Sequence, residues 1–89
     1  MDASVRQQAV KRLRRAAGQI KGLERMVEKN AYCIAILHQS MAAKEALSSF
    51  EDFILKNHLS THAAEQMRGR KKKTAVEEIL SIYRLAKKK

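Results

Sequence analysis

The chain is predicted to be all-α, with three helices built around a long central one, and three observations carry that prediction. It contains no proline and three glycines, while alanine, leucine, lysine, arginine and glutamate, all good helix formers, are abundant. Apolar residues recur at helical spacing over most of its length. Strand-like alternation and tight hairpin dipeptides are absent. Eighty-nine residues make one domain at most, so residues 1–89 are read as a single one. A chain this short buries a modest core, and self-association is a common route to stability at this size.

The first helix is expected from Ser4, where "SVRQ" has the form of a capping box, with Ser4 as N-cap and Gln7 reaching back. Val5, Ala9, Leu13, Ala16, Ala17, Ile20, Leu23 and Val27 mark its apolar face, and Arg6, Lys11, Arg14, Arg15, Lys21 and Arg25 the opposite one. Gly18 and Gly22 each weaken a helix by about 1 kcal/mol against alanine. Four residues apart, they would let another backbone come close. Lys29-Asn30 ends the pattern, and asparagine suits a left-handed helix cap.

The second stretch, from Ala31 to Arg68 before Gly69, has no internal breaker. As one helix it would run roughly 38 residues, or about 57 Å. Ile34, Ile36, Leu37, Met41, Ala43, Leu47, Phe50, Phe53 and Ile54 cover more than one stripe of it, so it needs cover on two sides. Two short flanking helices cannot supply all of that, which calls for a partner chain. "GRKKK" reads as a basic loop. "TAVEE" then gives a second capping box, Thr74 with Glu77. A short third helix follows, with Val76, Ile79, Leu80, Ile82, Tyr83 and Leu85 on its apolar side. The closing "KKK" is expected to fray.

The net charge is +10, and it is segregated. Residues 1–30 carry eight Lys/Arg against three Asp/Glu; residues 31–67 carry two against four; residues 68–89 carry nine against two. Basic ends around a near-neutral middle point to a polyanionic partner such as nucleic acid. Lys11, Arg12, Arg14 and Arg15 form a dense cluster on the first helix, extended by Lys21 and Arg25. Arg70, Lys71, Lys72 and Lys73 form a second. Aromatic residues are few and none is interleaved with these clusters, so stacking on single strands is disfavoured. Contact with duplex phosphates fits better, and affinity should fall steeply with salt.

The single cysteine cannot form an internal disulfide, which points to a reducing cytosol and a cytoplasmic protein. No apolar run approaches the roughly 20 residues of a membrane span, and "MDASVRQQAV" has no signal-peptide core. His58 and His62 stand at i and i+4, where two imidazoles on one helix face can share a metal ion. The glutamate of a zinc-protease HExxH is missing. A Cys–His enzyme is disfavoured too, for want of an orienting acid or an oxyanion loop. An effector-free helical DNA-packaging protein would share the charge but would not need these three residues.

Cys33 lies 25 residues before His58, about 37 Å along a continuous helix, whereas ligand–metal bonds are about 2.0–2.3 Å. The three can therefore meet only between chains. Two copies paired antiparallel about a two-fold axis bring Cys33 of one protomer to the histidines of its mate, and symmetry makes a second site. One thiolate and two imidazoles suit Cu(I) with three ligands. Zn(II) would need one more donor, which water could supply. Ni(II) or Co(II) would need further donors, for which Asp2 or the N-terminal amine are candidates. His38 points about 140° away from Cys33 around the helix and is read as a non-ligand.

With "RLRRAAGQIKGLERMVE", "YCIAILHQ", "NHLSTHAAEQ" and "AVEEIL" in view, nearly the whole chain resembles the CsoR/RcnR family of bacterial metal-sensing repressors. That resemblance implies an all-helical antiparallel homodimer with a four-helix-bundle core, paired into a homotetramer. It implies binding to double-stranded operator DNA without a helix-turn-helix and release when the effector binds. Its copper branch carries Cys, His and Cys, where this chain has Cys33, His58 and His62. Its nickel/cobalt branch adds an N-terminal histidine that "MDASVR" lacks. A persulfide-sensing branch needs two cysteines, and a formaldehyde-sensing branch an N-terminal proline. The resemblance also implies that Tyr32 and Glu78 hydrogen-bond the far ring nitrogen of His58, which would fix its tautomer. Copper is the expected effector, with Ni(II), Co(II) and Zn(II) as alternatives.

Overall fold

The computed structural model describes residues 1–88 and contains no strand among them. Four helices follow in order: α1 (Ala3–Glu28), α2 (Cys33–Ser60), α3 (His62–Arg68) and α4 (Lys72–Lys87). The all-α prediction holds, but the long central stretch is divided at Thr61 instead of running unbroken to Arg68. The chain forms two compact units, Met1–Leu55 and the part from Lys56 onward.

In the first unit, α1 starts sooner than the capping box implies. Asp2, not Ser4, is the N-cap: its Oδ1 accepts from the Val5 N–H at 2.8 Å. A carboxylate complements the partial positive charge of a helix start better than a hydroxyl does. Ser4 falls inside the first turn, where its Oγ accepts from Gln8 Nε2 at 3.3 Å. Replacing Asp2 by alanine should cost about 1 kcal/mol of stability, measurable by urea denaturation at fixed protein concentration, while Ser4→Ala should cost much less.

The far end of α1 closes as its sequence implies. Asn30 takes a left-handed φ of 54°. The Asn30 N–H donates to the Val27 carbonyl at 3.1 Å and the Ala31 N–H to the Met26 carbonyl at 2.9 Å, the paired bonds of a Schellman turn. The chain then reverses into α2. Gln39 Nε2 donates to Gln19 Oε1 at 2.6 Å and to the Gln19 carbonyl at 3.1 Å. Seven residues back along α1, Arg12 Nη1 donates to Ser49 Oγ at 2.7 Å. Moving backward on α1 thus moves forward on α2, and the two form an antiparallel hairpin.

The buried apolar residues of this unit are all alanines: Ala9 and Ala16 on α1, Ala43 and Ala46 on α2. Small side chains let the two backbones approach, a role expected of Gly18 and Gly22. A Cβ on Gly18 would meet nothing within 4 Å, and one on Gly22 would meet Gln39 Nε2 at 3.5 Å, an ordinary contact. The large apolar residues are half-buried, as Phe50, Phe53 and Ile54 are, or exposed. Ile34, Leu37 and Met41, at helical spacing on α2, are 48%, 57% and 64% exposed.

In the second unit α3 packs on α4, with Ala63 and Ala75 buried. α4 begins at Lys72 with Lys71 at its N-cap and no side-chain cap, so the Thr74–Glu77 capping box is not used. Lys72 and Lys73, expected in a loop, are helical. Lys87 is helical as well, its ammonium 4.8 Å from the Tyr83 ring centre, and Lys88 is the C-cap. The expected fraying of the final lysines therefore does not extend to Lys87, and Lys89 lies outside the described residues. No helix of the described residues is long and apolar enough to cross a membrane.

Candidate functional site

His58 lies in the last turn of α2 and His62 is the first residue of α3. They are not on one continuous helix, yet their rings come together, with centroids 5.7 Å apart and planes tilted by 54°. His58 is half-buried and His62 exposed.

The break between them follows from "NHLST". Ser60 Oγ bonds back to the Lys56 carbonyl at 3.0 Å and to the Asn57 carbonyl at 3.2 Å. Thr61 Oγ1 bonds to the Asn57 carbonyl at 2.7 Å. The Thr61 N–H is shared between the carbonyls of Asn57, at 3.1 Å, and His58, at 3.3 Å. Hydroxyls that bond back one turn compete with the helix ladder and bend it. Here Thr61 leaves helical geometry altogether, at φ −120° and ψ −86°. Apolar periodicity carries no trace of this, whereas the Ser-Thr pair between two histidines does.

The other predicted site residues are placed as follows. Cys33 is the first residue of α2 and its thiol is free and exposed. Tyr32 precedes it, 75% exposed, and its carbonyl accepts the Ile36 N–H at 3.1 Å. Glu78 is exposed on α4, and its carbonyl accepts from Ser81 Oγ at 2.7 Å. His38 is exposed on α2. Asp2, a candidate extra donor, is occupied in capping α1. Among the described residues, no group of three or more His, Cys, Asp or Glu is gathered within the single chain to hold a metal.

The basic residues divide in two. Lys11, Arg14, Arg15, Lys21 and Arg25 are exposed along α1. Arg12 is half-buried and engaged: besides its bond to Ser49, its guanidinium carbon lies 4.6 Å from the centre of the Phe53 ring. Arg70 and Lys71 lie between α3 and α4, and Lys72 and Lys73 open α4, all exposed. That first turn holds no acidic residue. The cations thus stand where the helix already carries partial positive charge, an arrangement a polyanion relieves.

A family model described as metal-sensitive transcriptional repressor matches residues 5–84. The chain is 30% identical over 77 residues to the copper-sensing transcriptional repressor CsoR of Bacillus subtilis, covering 86% of this chain and 76% of that protein. It is 48% identical over 50 residues to the copper-sensing transcriptional repressor RicR of Mycobacterium tuberculosis, covering 56% of this chain and 52% of that protein. The fold is similar to the crystal structure of CsoR with Cu(I) from Geobacillus thermodenitrificans. The TM-score is 0.92 at 30% sequence identity, over 99% of this chain and 92% of that one.

Proposed function

The chain belongs to the family of metal-sensitive transcriptional repressors, and from that premise we propose that it is a cytoplasmic, Cu(I)-responsive repressor that holds operator DNA when metal-free and releases it when Cu(I) binds. Its family is one of regulators, not enzymes. The observation that carries copper is the likeness over 99% of this chain, at a TM-score of 0.92, to the copper-sensing repressor CsoR crystallised with Cu(I). The His58 and His62 rings, 5.7 Å apart between centroids, stand close enough for two imidazoles bonded at about 2.0–2.1 Å to share one three-coordinate Cu(I) ion. The relatives named for copper sensing support the same choice.

Two imidazoles leave such an ion one donor short, and Cys33 is the thiolate to complete it. Cys33 and His58 fall at opposite ends of α2, so the donor comes from a second chain. In an antiparallel homodimer, Cys33 of one protomer would join His58 and His62 of the partner subunit, twice by symmetry. The large apolar residues left exposed on α1 and α2 supply the surface such a dimer would bury, and a pair of dimers would make a homotetramer. Tyr32 and Glu78 would accept from the second nitrogen of His58 and fix its tautomer.

Lys11, Arg14, Arg15, Lys21, Arg25 and Arg70 to Lys73 would contact operator phosphates. The drawing of Glu78 toward the bound histidine would shift α4 and unseat these cations. By linkage, DNA weakens metal binding by the factor that metal weakens DNA binding. A second reading, response to Ni(II), Co(II) or Zn(II), rests on His62, an imidazole where the copper branch has a thiolate. Competition titrations with the four ions, each followed by operator release, decide between them. Cu(I) should bind tightest and be the ion that releases DNA; release by Ni(II) or Co(II) at lower free concentration would overturn the copper assignment.

A further inference from the structure

We propose that Thr61 is a positioning residue for the metal response, its hydroxyl holding the helix break that turns His62 toward His58. The inference rests on the reading of His58 and His62 as ligands.

Three donors converge on the Asn57 carbonyl: Thr61 Oγ1 at 2.7 Å, the Thr61 N–H at 3.1 Å and Ser60 Oγ at 3.2 Å. The Thr61 hydroxyl makes the shortest of these bonds, and it belongs to the residue whose backbone leaves the helix. Asn57 immediately precedes one ligand and Thr61 immediately precedes the other. The bond therefore fixes the two backbones from which the imidazoles project. Once past Thr61 the chain is helical again, the Glu65 N–H donating to the Thr61 carbonyl at 3.1 Å, so His62 inherits its direction from the break. Ser60 Oγ divides its bond between two carbonyls on the α2 side and has less hold on α3.

Thr61→Val keeps the shape and the β-branch and removes the hydroxyl. Without that bond the Asn57 carbonyl keeps only the Thr61 N–H and the Ser60 hydroxyl, the bend at residue 61 is less firmly held, and His62 loses its fixed direction relative to His58. Cu(I) affinity, measured by competition with a chromophoric chelator, should fall on the order of tenfold, as when an outer partner that orients a ligand is lost. Thr61→Ser, which retains the hydroxyl, should restore it. In the metal-free protein, nuclear Overhauser effects between the ring protons of His58 and His62 should be present in the unaltered chain and in Thr61→Ser, and weaker in Thr61→Val. Helix content and metal-free operator affinity should be the same in all three.

Wild-type Cu(I) affinity in Thr61→Val, or a loss in Thr61→Ser equal to that in Thr61→Val, would overturn the role of the hydroxyl. His58→Ala is titrated alongside. If it also binds Cu(I) like the unaltered protein, the ligand reading fails and this inference with it; if it loses Cu(I) while Thr61→Val does not, the positioning role alone is refuted.

Discussion

Operator complexes of a protein carrying His58→Ala are expected to survive Cu(I) concentrations that dissociate the unaltered complex, while forming normally without metal. Loss of an outer partner to a ligand already weakens metal binding about 10–100-fold, and removal of a ligand itself should exceed that. Cys33→Ser should behave in the same way, since a serine hydroxyl is no substitute for a thiolate toward Cu(I). Neither residue lies among the basic residues assigned to DNA. If His58→Ala instead abolished metal-free operator binding, His58 would be a residue of the fold.

The stronger form of the experiment mixes the two variants. In an antiparallel dimer each site takes its thiol from one protomer and its imidazoles from the other. A heterodimer of one Cys33→Ser chain and one His58→Ala chain keeps one complete site, because the intact cysteine faces the intact histidine pair. Its other site lacks both. Two inactive homodimers, co-expressed with different affinity tags and purified as the heterodimer, should therefore regain Cu(I) binding at half the wild-type stoichiometry. A heterodimer that binds no Cu(I) would mean that thiol and imidazoles do not come from different chains.

Much of the fold is legible in the residues, and what is not has local physical causes. The end of α1 can be read because Asn30 is one of few residues at ease with a left-handed φ, here 54°. Its start is ambiguous in sequence because Asp2 and Ser4 are both good caps, and the carboxylate has the advantage of charge. The last helix begins before its capping pattern implies: the backbone bond from the Ala75 N–H to the Lys71 carbonyl, at 2.9 Å, starts it ahead of Thr74. The division at Thr61 escapes periodicity, which reports which faces are apolar and not where hydroxyls bond back to the preceding turn and bend the helix. The histidine pair is legible from its spacing, although its 5.7 Å convergence arises across a break and not along a helix face. The pairing of Arg12 with Ser49 and Phe53 joins residues 37 and more positions apart, and nothing in their local patterns announces it.

That pairing leads to a second large effect. Arg12→Gln should destabilise the protein and weaken operator binding, yet leave the salt dependence of binding unchanged. Arg12 stands in the densest basic cluster, and charge alone would assign it to phosphate with its neighbours. Its guanidinium is instead engaged on Ser49 and over Phe53, where it ties α1 to α2. A hydrogen bond from a charged donor is worth about 1.5–3 kcal/mol, and a guanidinium over an aromatic face adds about 0.5–1 kcal/mol. Loss of both should lower unfolding free energy by about 2–4 kcal/mol at fixed protein concentration. Operator affinity should fall because α1, which carries Lys11, Arg14 and Arg15, is less firmly held against α2. The slope of log K against log salt shrinks by about 0.9 for every phosphate the protein no longer neutralises. Arg14→Gln, at an exposed position, should reduce that slope by this amount for every copy at the operator, with little change in stability. Arg12→Gln should shift the whole line downward and keep its slope. A slope reduced as much by Arg12→Gln as by Arg14→Gln, without loss of stability, would return Arg12 to the phosphate-binding set and leave the Ser49 bond as a resting place for a mobile side chain.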